Sequence, residues 1–449
     1  MRWSRRLIDA APKLEVLLGQ YDVPIAPNII REQHNNNELC LKPLVMISMK
    51  YSGYLHSHQN LKMTSSSTHE KKKDIALEAI RGIAALSVLL WHCCLGFLPE
   101  YVGVVTKHDG ISSWQGSPFF FLINGTAAVS LFFVLSGYIL TRRYFLSGDT
   151  KLLARGALKR WPRLMGPVLL TVLISYLFFK FGWYFFQKAG PIANTPFLAK
   201  FVWNAETPFP ISFCGALLQG SFFTFFRGDS FYNSSLWTMQ LELIGSFVVF
   251  GMAPMIWEAK KISTSAVLFL TGCIILIAHF TKPDLVAFPV GVAMAALLPR
   301  NKGFSVNFIT ILLLLMALYL LGTSSKRIGI YQPINWIDPS QKMTTYFYIF
   351  GAALLIGLIE VVPAWHHFLS GSFWKWLGEF SFPIYLIHIV VICSLGCLVY
   401  LHYGRASAIA VSLLATPFAA LPLLFFNRFW VSQLNQITNQ LFHRKKEVP

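Results

Sequence analysis

Long apolar stretches alternate with short polar connections from residue 75 almost to the end of the chain. A helix needs roughly 20 predominantly apolar residues to cross a bilayer. About ten stretches approach this length, and several are shorter. They lie near residues 75–97, 117–141, 161–186, 236–257, 264–281, 284–299, 307–322, 345–362, 381–401 and 406–430. This pattern predicts an all-α fold, a polytopic transmembrane helical bundle with about ten spans.

The same pattern divides the chain into three parts. Residues 1–70 are polar and lack the apolar core of a secretory signal, so we expect a flexible polar N-terminal arm. Residues 71–432 contain all the predicted spans and form the transmembrane domain. Residues 433–449 are expected to form a basic C-terminal tail.

Composition places the chain among integral membrane proteins. Of its 449 residues, 55% are hydrophobic and only 13% are charged, and the mean hydropathy is +0.53. The formal charge of +18 is typical of basic cytoplasmic loops and does not indicate nucleic-acid binding. The seven cysteines include no CxxC pair, so the sequence predicts no disulfide and no metal site.

Basic residues predict the orientation of the spans. With the N-terminus inside, every short loop on the cytoplasmic side is basic, as at Arg142 and Arg143 or at Lys260 and Lys261. Positive charge retains loops on that side. We therefore expect a multi-pass membrane protein with both termini cytoplasmic.

Three ionisable side chains lie within the first apolar stretch, where charge is costly unless it is paired or functional. Arg81 and His92 point within roughly 20° of each other and lie about 16 Å apart along the helix axis. Glu78 lies one turn before Arg81 and can form an ion pair with it. Because lipid cannot satisfy these groups, the stripe must face protein or a polar cavity. We expect Arg81 and His92 to converge on one interior chamber.

Five motifs occur in order along the chain. They are Arg81 followed after ten residues by His92, SLFFVLSGYILTRR, RWPR at Arg160–Arg163, LWTMQLE at Leu236–Glu242 and GEFSFPIYLIH at Gly378–His388. Together, from about residue 72 to 402, they resemble the type 3 acyltransferase family of integral-membrane O-acyltransferases. The chain departs from the family pattern at Ser130, often Asp, and at Phe382 and Pro383, usually Tyr and a small residue.

The resemblance implies acyl transfer from acyl-coenzyme A, with acetyl-coenzyme A as the expected donor. Such a reaction needs a base for the hydroxyl proton and a stabilising charge for the tetrahedral oxyanion. A neutral imidazole suits the first task, so His92 is the expected base or the transient carrier of the acyl group. Arg81 can form a structural pair with Glu78 and can contact the donor phosphate or the reacting oxygen, and both roles can hold at once.

Arg160 and Arg163 lie on one face at the predicted cytoplasmic start of the third span, with Pro162 in its first turn. Acyl-coenzyme A is a cytosolic polyanion, and guanidinium groups match phosphate geometry. The family motif therefore implies that both arginines bind the donor. The alternative is that they anchor the topology, as juxtamembrane arginines commonly do.

Polar residues in later spans complete the predicted site. Glu242 is an intramembrane acid, for which the resemblance supports a catalytic role. Tyr385 and His388 share one face of the ninth stretch, with Ser381 one turn before Tyr385, and we expect them to contact substrate. Alternatively, these side chains join helices through hydrogen bonds.

The sequence thus predicts a membrane O-acyltransferase. Its expected partners are an acyl-coenzyme A co-substrate, the lipid bilayer and a hydroxyl on a glycan, a glycoside or a lipophilic specialised metabolite, with no permanently bound cofactor. The alternative is a proton-coupled transporter or lipid flippase that uses Glu78, Arg81 and His92 as a proton relay. No internal repeat is visible, and many transporters are built from such repeats.

Overall fold

The computed structural model describes residues 74–103, 113–195, 197–202, 210–298 and 303–443. Within these ranges every regular element is helical and no strand occurs. Ten helices there have more than ten residues: Ile75–Phe97 (α1), Gly125–Arg142 (α2), Thr150–Lys180 (α3), Trp237–Ile262 (α4), Thr264–Thr281 (α5), Ala287–Leu297 (α6), Phe308–Leu321 (α7), Thr344–Val361 (α8), Ser372–Val391 (α9) and Cys397–His443 (α10). The predicted all-α fold is confirmed.

Most of these helices are long and apolar enough to cross a membrane. In the described part of the chain, seven helical runs meet both criteria. The shorter apolar helices are Phe213–Phe226, Pro283–Leu297 and Phe308–Leu321. The prediction of about ten spans therefore agrees with the seven long runs and these shorter ones only as an approximate count.

The last helical run, Ser372–Phe442, contains two passes. Its 71 residues would measure about 107 Å as one helix, whereas the hydrocarbon core is about 30 Å thick. Its backbone leaves the helical conformation at Gly404 (φ 79°, ψ −172°). Arg428, after this break, forms an ion pair with Glu379, before it. The chain therefore turns back at Gly404, and α9 and α10 lie side by side.

Of the two predicted terminal segments, the structure describes only part of the C-terminal one. The predicted N-terminal arm, residues 1–70, lies outside the described residues. At the other end α10 continues to His443, so helical structure reaches well into the predicted C-terminal tail.

The third span begins earlier than its hydropathy predicts. Asp149 caps α3 by accepting a hydrogen bond from the backbone N–H of Lys151 at 2.9 Å, so Pro162 lies inside the helix and its predicted place in the first turn was wrong. Hydropathy marks where the apolar segment starts, whereas the polar helix before it is set by its cap. Membrane helices tolerate proline where neighbours satisfy the backbone, and Trp430 Nε1 donates to the Pro162 carbonyl at 2.7 Å.

Helices α1 and α9 pack backbone against backbone at two glycines. A Cβ on Gly82 would lie 2.8 Å from a backbone oxygen of α9, and a Cβ on Gly378 would lie 2.6 Å from one of α1. Small residues let membrane helices approach this closely. Further along both helices His92 faces His388. Residue numbers increase in the same direction along both helices from one contact to the next, so α1 and α9 run parallel.

Asp74 joins the ends of three helices. Its carboxylate accepts hydrogen bonds from the backbone N–H of Leu77 in α1, at 3.4 Å, and from Arg142 at the end of α2, at 2.5 Å. The Arg142 guanidinium also lies 3.0 Å from Glu360 of α8. This network fixes the end of the bundle from which the polar face of α1 starts, and we call it the basic end.

We expect Gly82→Ala to weaken the whole bundle. The added methyl group collides with the α9 backbone, which cannot move aside as a side chain can, and overpacking of this kind costs about 1–3 kcal/mol of unfolding free energy. The measurement is thermal unfolding of the purified protein in detergent. The matched control is Gly251→Ala on α4, where a Cβ meets nothing within 4 Å and helix propensity favours alanine. Equal unfolding temperatures for both variants would contradict the contact.

Candidate functional site

A cavity of about 220 Å³ opens between α1, α2, α3, α4, α9 and α10. Its apolar wall comes mainly from α2, α3 and α4, through Val129, Phe132, Phe133, Leu164 and Met239. Its charged wall consists of Glu78, Arg81, Arg160, Arg163, Glu242, Glu379 and Arg428. The cavity therefore combines a polar part with an apolar part, as sites for amphipathic ligands do.

Ion pairs neutralise most of the charge on this wall. Each of the three glutamates meets one arginine. The pairs are Arg81 with Glu78 at 3.3 Å, Arg160 with Glu242, and Arg428 with Glu379. Four arginines against three glutamates leave one positive charge in excess, which favours an anionic ligand.

The excess charge belongs to Arg163. Its side chain is exposed at the cavity wall, and among the described residues it has no ion-pair partner. Because α3 carries Arg160 and Arg163 three positions apart, both arginines point into the same cavity. Of the predicted donor-binding pair, Arg163 is the one whose guanidinium is available to a ligand.

Arg160 is held by the protein itself. Its Nε donates to Ser246 Oγ at 2.6 Å, and its other end pairs with Glu242. Ser136 on α2 donates a further hydrogen bond to the Glu242 carboxylate. Arg160 is only 6% exposed, so breaking this pair would leave a charge buried without its partner, which is strongly destabilising. Glu242, predicted as a catalytic acid, is thus the shared anchor of α2, α3 and α4.

Tyr385 and Ser381 lie at the cavity wall as predicted, but their hydroxyl groups are engaged with the protein. Tyr385 donates to the backbone carbonyl of Ser235 at 2.7 Å and contacts Thr238 Oγ1 at 2.7 Å. Ser381 donates to the carbonyl of Gly378 one turn earlier at 2.7 Å. Tyr385 therefore joins α9 to the start of α4, where it forms part of the inner end of the cavity.

His92 and His388 lie beyond this inner end and do not line the cavity. The His388 ring lies between its neighbours, 5.9 Å from the ring centre of Tyr385 and 4.8 Å from that of His92, and is tilted against both. The predicted convergence of Arg81 and His92 on one chamber is therefore not observed. The two side chains share a stripe, but about 16 Å of helix separates them, and the cavity reaches only as far as Tyr385.

His92 has an aromatic neighbour outside the cavity. Its side chain is half-buried, and its ring meets that of Phe201 edge to face at 5.1 Å between centres. Phe201 belongs to the aromatic-rich segment between α3 and α4. The base candidate thus faces away from the charged cavity and towards aromatic side chains.

Several residues of the site escaped the sequence analysis. Ser136 lies within the quoted motif SLFFVLSGY, and an intramembrane serine beside a glycine could have marked it as a partner for Glu242. Glu379 lies in the motif that contains His388, but its partner Arg428 lies 49 residues later. No spacing rule connects these two, because the turn at Gly404 brings them together.

One group of side chains resembles a set of metal ligands. Atoms of Asp74, Glu360 and His366 lie within 4.8 Å of one another at the basic end. Arg142, however, pairs with both carboxylates, so a guanidinium already occupies the position between them that a metal ion would take. Burial raises the pKa of Asp74, but the hydrogen bond and charge of Arg142, with the charge of His366, hold this pKa below its usual value.

Comparison with known families assigns the chain. A family model described as an acyltransferase domain, that of the type 3 acyltransferases, matches residues 74–434. The comparisons with curated proteins and with solved structures return no match. The matched range contains the five sequence motifs, every residue of the cavity wall and both histidines. With more than half of its length matched, the chain belongs to the type 3 acyltransferase family and is a membrane acyltransferase.

Proposed function

We propose that this protein is an O-acyltransferase that moves an acyl group, expected to be acetyl, from acyl-coenzyme A to a hydroxyl. The acceptor is a glycan, a glycoside or a lipophilic specialised metabolite. One observation supports the donor above all: a cavity at the basic end with a single excess arginine and an apolar wall. Coenzyme A has the matching chemistry, since its phosphates are anionic and its acyl arm is long and less polar.

The charges on the wall support a definite orientation of the donor. Arg163 contacts a phosphate, because its guanidinium is exposed in the cavity and free of ion pairs within the described chain. Arg81 lies on the same wall but shares its charge with Glu78, so it adds a weaker contact. The acyl arm then extends along Phe132 and Met239 towards Tyr385. Arg81 acts in donor binding in this arrangement, because it lies about 16 Å from His92.

His92 supplies the base. The acceptor hydroxyl approaches it beside Phe201, whose ring contacts the half-buried imidazole. The hydroxyl oxygen attacks the thioester carbonyl as His92 removes its proton, the C–S bond breaks as the intermediate collapses, and the proton passes to the coenzyme A thiolate. The Tyr385 ring at the inner end of the cavity stands between donor and base, so it must shift when the two substrates meet.

Aromatic surroundings favour an acceptor with an apolar or sugar face. The ring of Phe197 lies 6.4 Å from that of Phe201, and the neighbouring segment contains the rings of Tyr184 and Phe186, 5.8 Å apart. Aromatic side chains offer broad apolar contact with few rotatable bonds. Lipophilic metabolites and glycosides both present surfaces that suit such a wall.

We expect His92→Ala to abolish acyl transfer, because general-base catalysis contributes about 10²–10⁴-fold. Cells that express the wild type or the variant are fed ¹³C-labelled acetate, and their metabolites and glycans are compared by mass spectrometry. The labelled product found only with the wild type identifies the acceptor. Purified protein is then given acetyl-coenzyme A and that acceptor, and the release of coenzyme A thiol is measured.

The control for this experiment is His402→Ala, which removes an exposed histidine on α10 outside the cavity. This variant should release thiol at the wild-type rate. Solute uptake driven by a proton gradient, with neither labelled product nor thiol release, would favour the transporter instead. Full activity of His92→Ala would remove the base from the proposed reaction.

We expect Arg163→Ala to raise the KM for acetyl-coenzyme A by about tenfold to a hundredfold while kcat changes little. A hydrogen bond to a charged group contributes about 1.5–3 kcal/mol, and a contact kept throughout the reaction acts on KM. The measurement is steady-state thiol release at varied donor concentration. The control is Lys159→Ala, which removes a positive charge from the same helix outside the cavity. Equal donor KM values for the two variants would contradict the phosphate contact.

A further inference from the structure

His388 is a buried histidine with no place at the cavity wall. It is 0% exposed, and its Nε2 lies 3.2 Å from Nδ1 of His92. The ring planes are inclined by 57°. Two imidazoles at hydrogen-bond distance in a membrane interior constrain each other, because each nitrogen must have a partner that complements its proton.

The backbone carbonyls around this pair decide where the protons are. His92 Nδ1 lies 2.8 Å from the carbonyl oxygen of Val88, and a carbonyl can only accept, so this Nδ1 carries the proton. His388 Nδ1 lies 3.2 Å from the carbonyl oxygen of Ile384 and carries its proton for the same reason. In their neutral forms both rings therefore have a lone pair on Nε2.

One N–H is consequently shared by two acceptors. The Nδ1–H of His92 points at the Val88 carbonyl and at the lone pair of His388 Nε2, in a three-centre hydrogen bond. The opposite nitrogen of His92, Nε2, is left unprotonated. That is the tautomer that a general base needs, and the hydrogen bond made by the other ring nitrogen selects it.

Hydrogen bonds to neighbouring segments fix the position of His388 along α9. Asn233 donates to the carbonyl of Leu386 at 2.6 Å, and Tyr385 donates to the carbonyl of Ser235. Just after His388 the helix widens into a π turn, Ile392–Gly396. The turn of α9 that precedes His388 is thus joined by two hydrogen bonds to the segment just before α4.

We infer that His388 is a positioning residue for His92: its Nε2 accepts the Nδ1–H of His92 and keeps that ring ready to take the acceptor proton at Nε2. The inference rests on the proposed function, in which His92 is the base. When His92 has taken the proton, its Nδ1–H still donates to His388, so the cation forms without any new hydrogen bond. An acidic partner has this role in the catalytic triad, whereas here the partner is neutral.

A substrate-binding role for His388 gives a different result. A group that contacts the acceptor raises the acceptor KM when it is removed, whereas a group that orients the base lowers kcat and leaves both KM values in place. The test compares His388→Gln, whose amide oxygen can accept the same hydrogen bond, with His388→Leu, which has no acceptor. His402→Leu repeats the change at an exposed histidine.

We expect His388→Leu to lower kcat by about tenfold to a hundredfold and His388→Gln to retain most of it, with both KM values within about twofold of the wild type. A raised acceptor KM at unchanged kcat, or equal losses in the two variants, would overturn the positioning role. Size-exclusion chromatography shows whether each variant is folded.

A second measurement does not depend on turnover. Nitrogen-15 NMR of histidine-labelled protein, with His92 assigned by its loss in His92→Ala, reports which ring nitrogen is protonated. The wild type and both His388 variants should show the Nδ1–H form of His92, because the Val88 carbonyl still accepts that proton, and only His388→Leu should shift the Nδ1 resonance, because it removes the second acceptor. An Nε2–H form in the wild type would overturn the inference. If His92→Ala remained active, the proposed function would fall, and the NMR result would still decide the geometry of the pair.

Discussion

The close approach of α1 to α9 governs where polar groups can lie in this bundle. Gly82 and Gly378 bring the two backbones into contact, and both helices place a histidine ten residues later, about 15 Å along the axis. Because the helices are parallel, the contact at the glycines also fixes the contact of His92 with His388. A side chain at either glycine would therefore disturb both the glycine contact and the contact between the two histidines. The polar stripe of α1 depends on this contact, since it has no other way to avoid lipid.

The charged cavity near the basic end and the surroundings of His92 and His388 differ in their electrostatics. Near the basic end, acids pair with arginines within α1 and across helices, so that charge is tolerated inside the membrane protein. Among the described residues of the cavity wall, Arg163 is the arginine that remains for a ligand. At the level of the histidines the described residues offer no charged partner, and the groups in contact are imidazoles, carbonyls and aromatic rings. A polyanion fits the first environment. A neutral base with a defined tautomer fits the second.

Much of this arrangement can be predicted from the sequence, but the length of the cavity along α1 cannot. Hydropathy and five ordered motifs predict the helical bundle, the family and the membership of Arg81, Arg163, Glu242 and Tyr385 in one site. Helical periodicity also places Arg81 and His92 on one stripe. It cannot show how far a cavity extends along that stripe, because this depends on which side chains from α4 and α9 fill the space.

Partners that lie far apart in sequence were equally hidden. Glu242 is predicted as a catalytic residue from its motif, but the motif does not predict its contacts with Arg160 and Ser136 from two other helices. The pairing of Arg428 with Glu379 requires the turn at Gly404. Hydropathy predicts roughly how deep these residues lie in the membrane, but it does not predict which side chains they contact. The ion-pair partners of such a carboxylate are set by tertiary packing.

Under the proposed function, in which the donor is a thioester, the layer formed by Tyr385 and His388 has a chemical consequence. A base in open contact with the donor cavity would activate water as readily as an alcohol, and the donor would be hydrolysed. Here two rings lie between the cavity and His92, so under the proposed function they separate the base from water in the donor cavity until the substrates meet. Exclusion of water from the reacting centre also strengthens the hydrogen bonds that orient it. The separation that the sequence did not predict is therefore a reason for transfer to be favoured over hydrolysis.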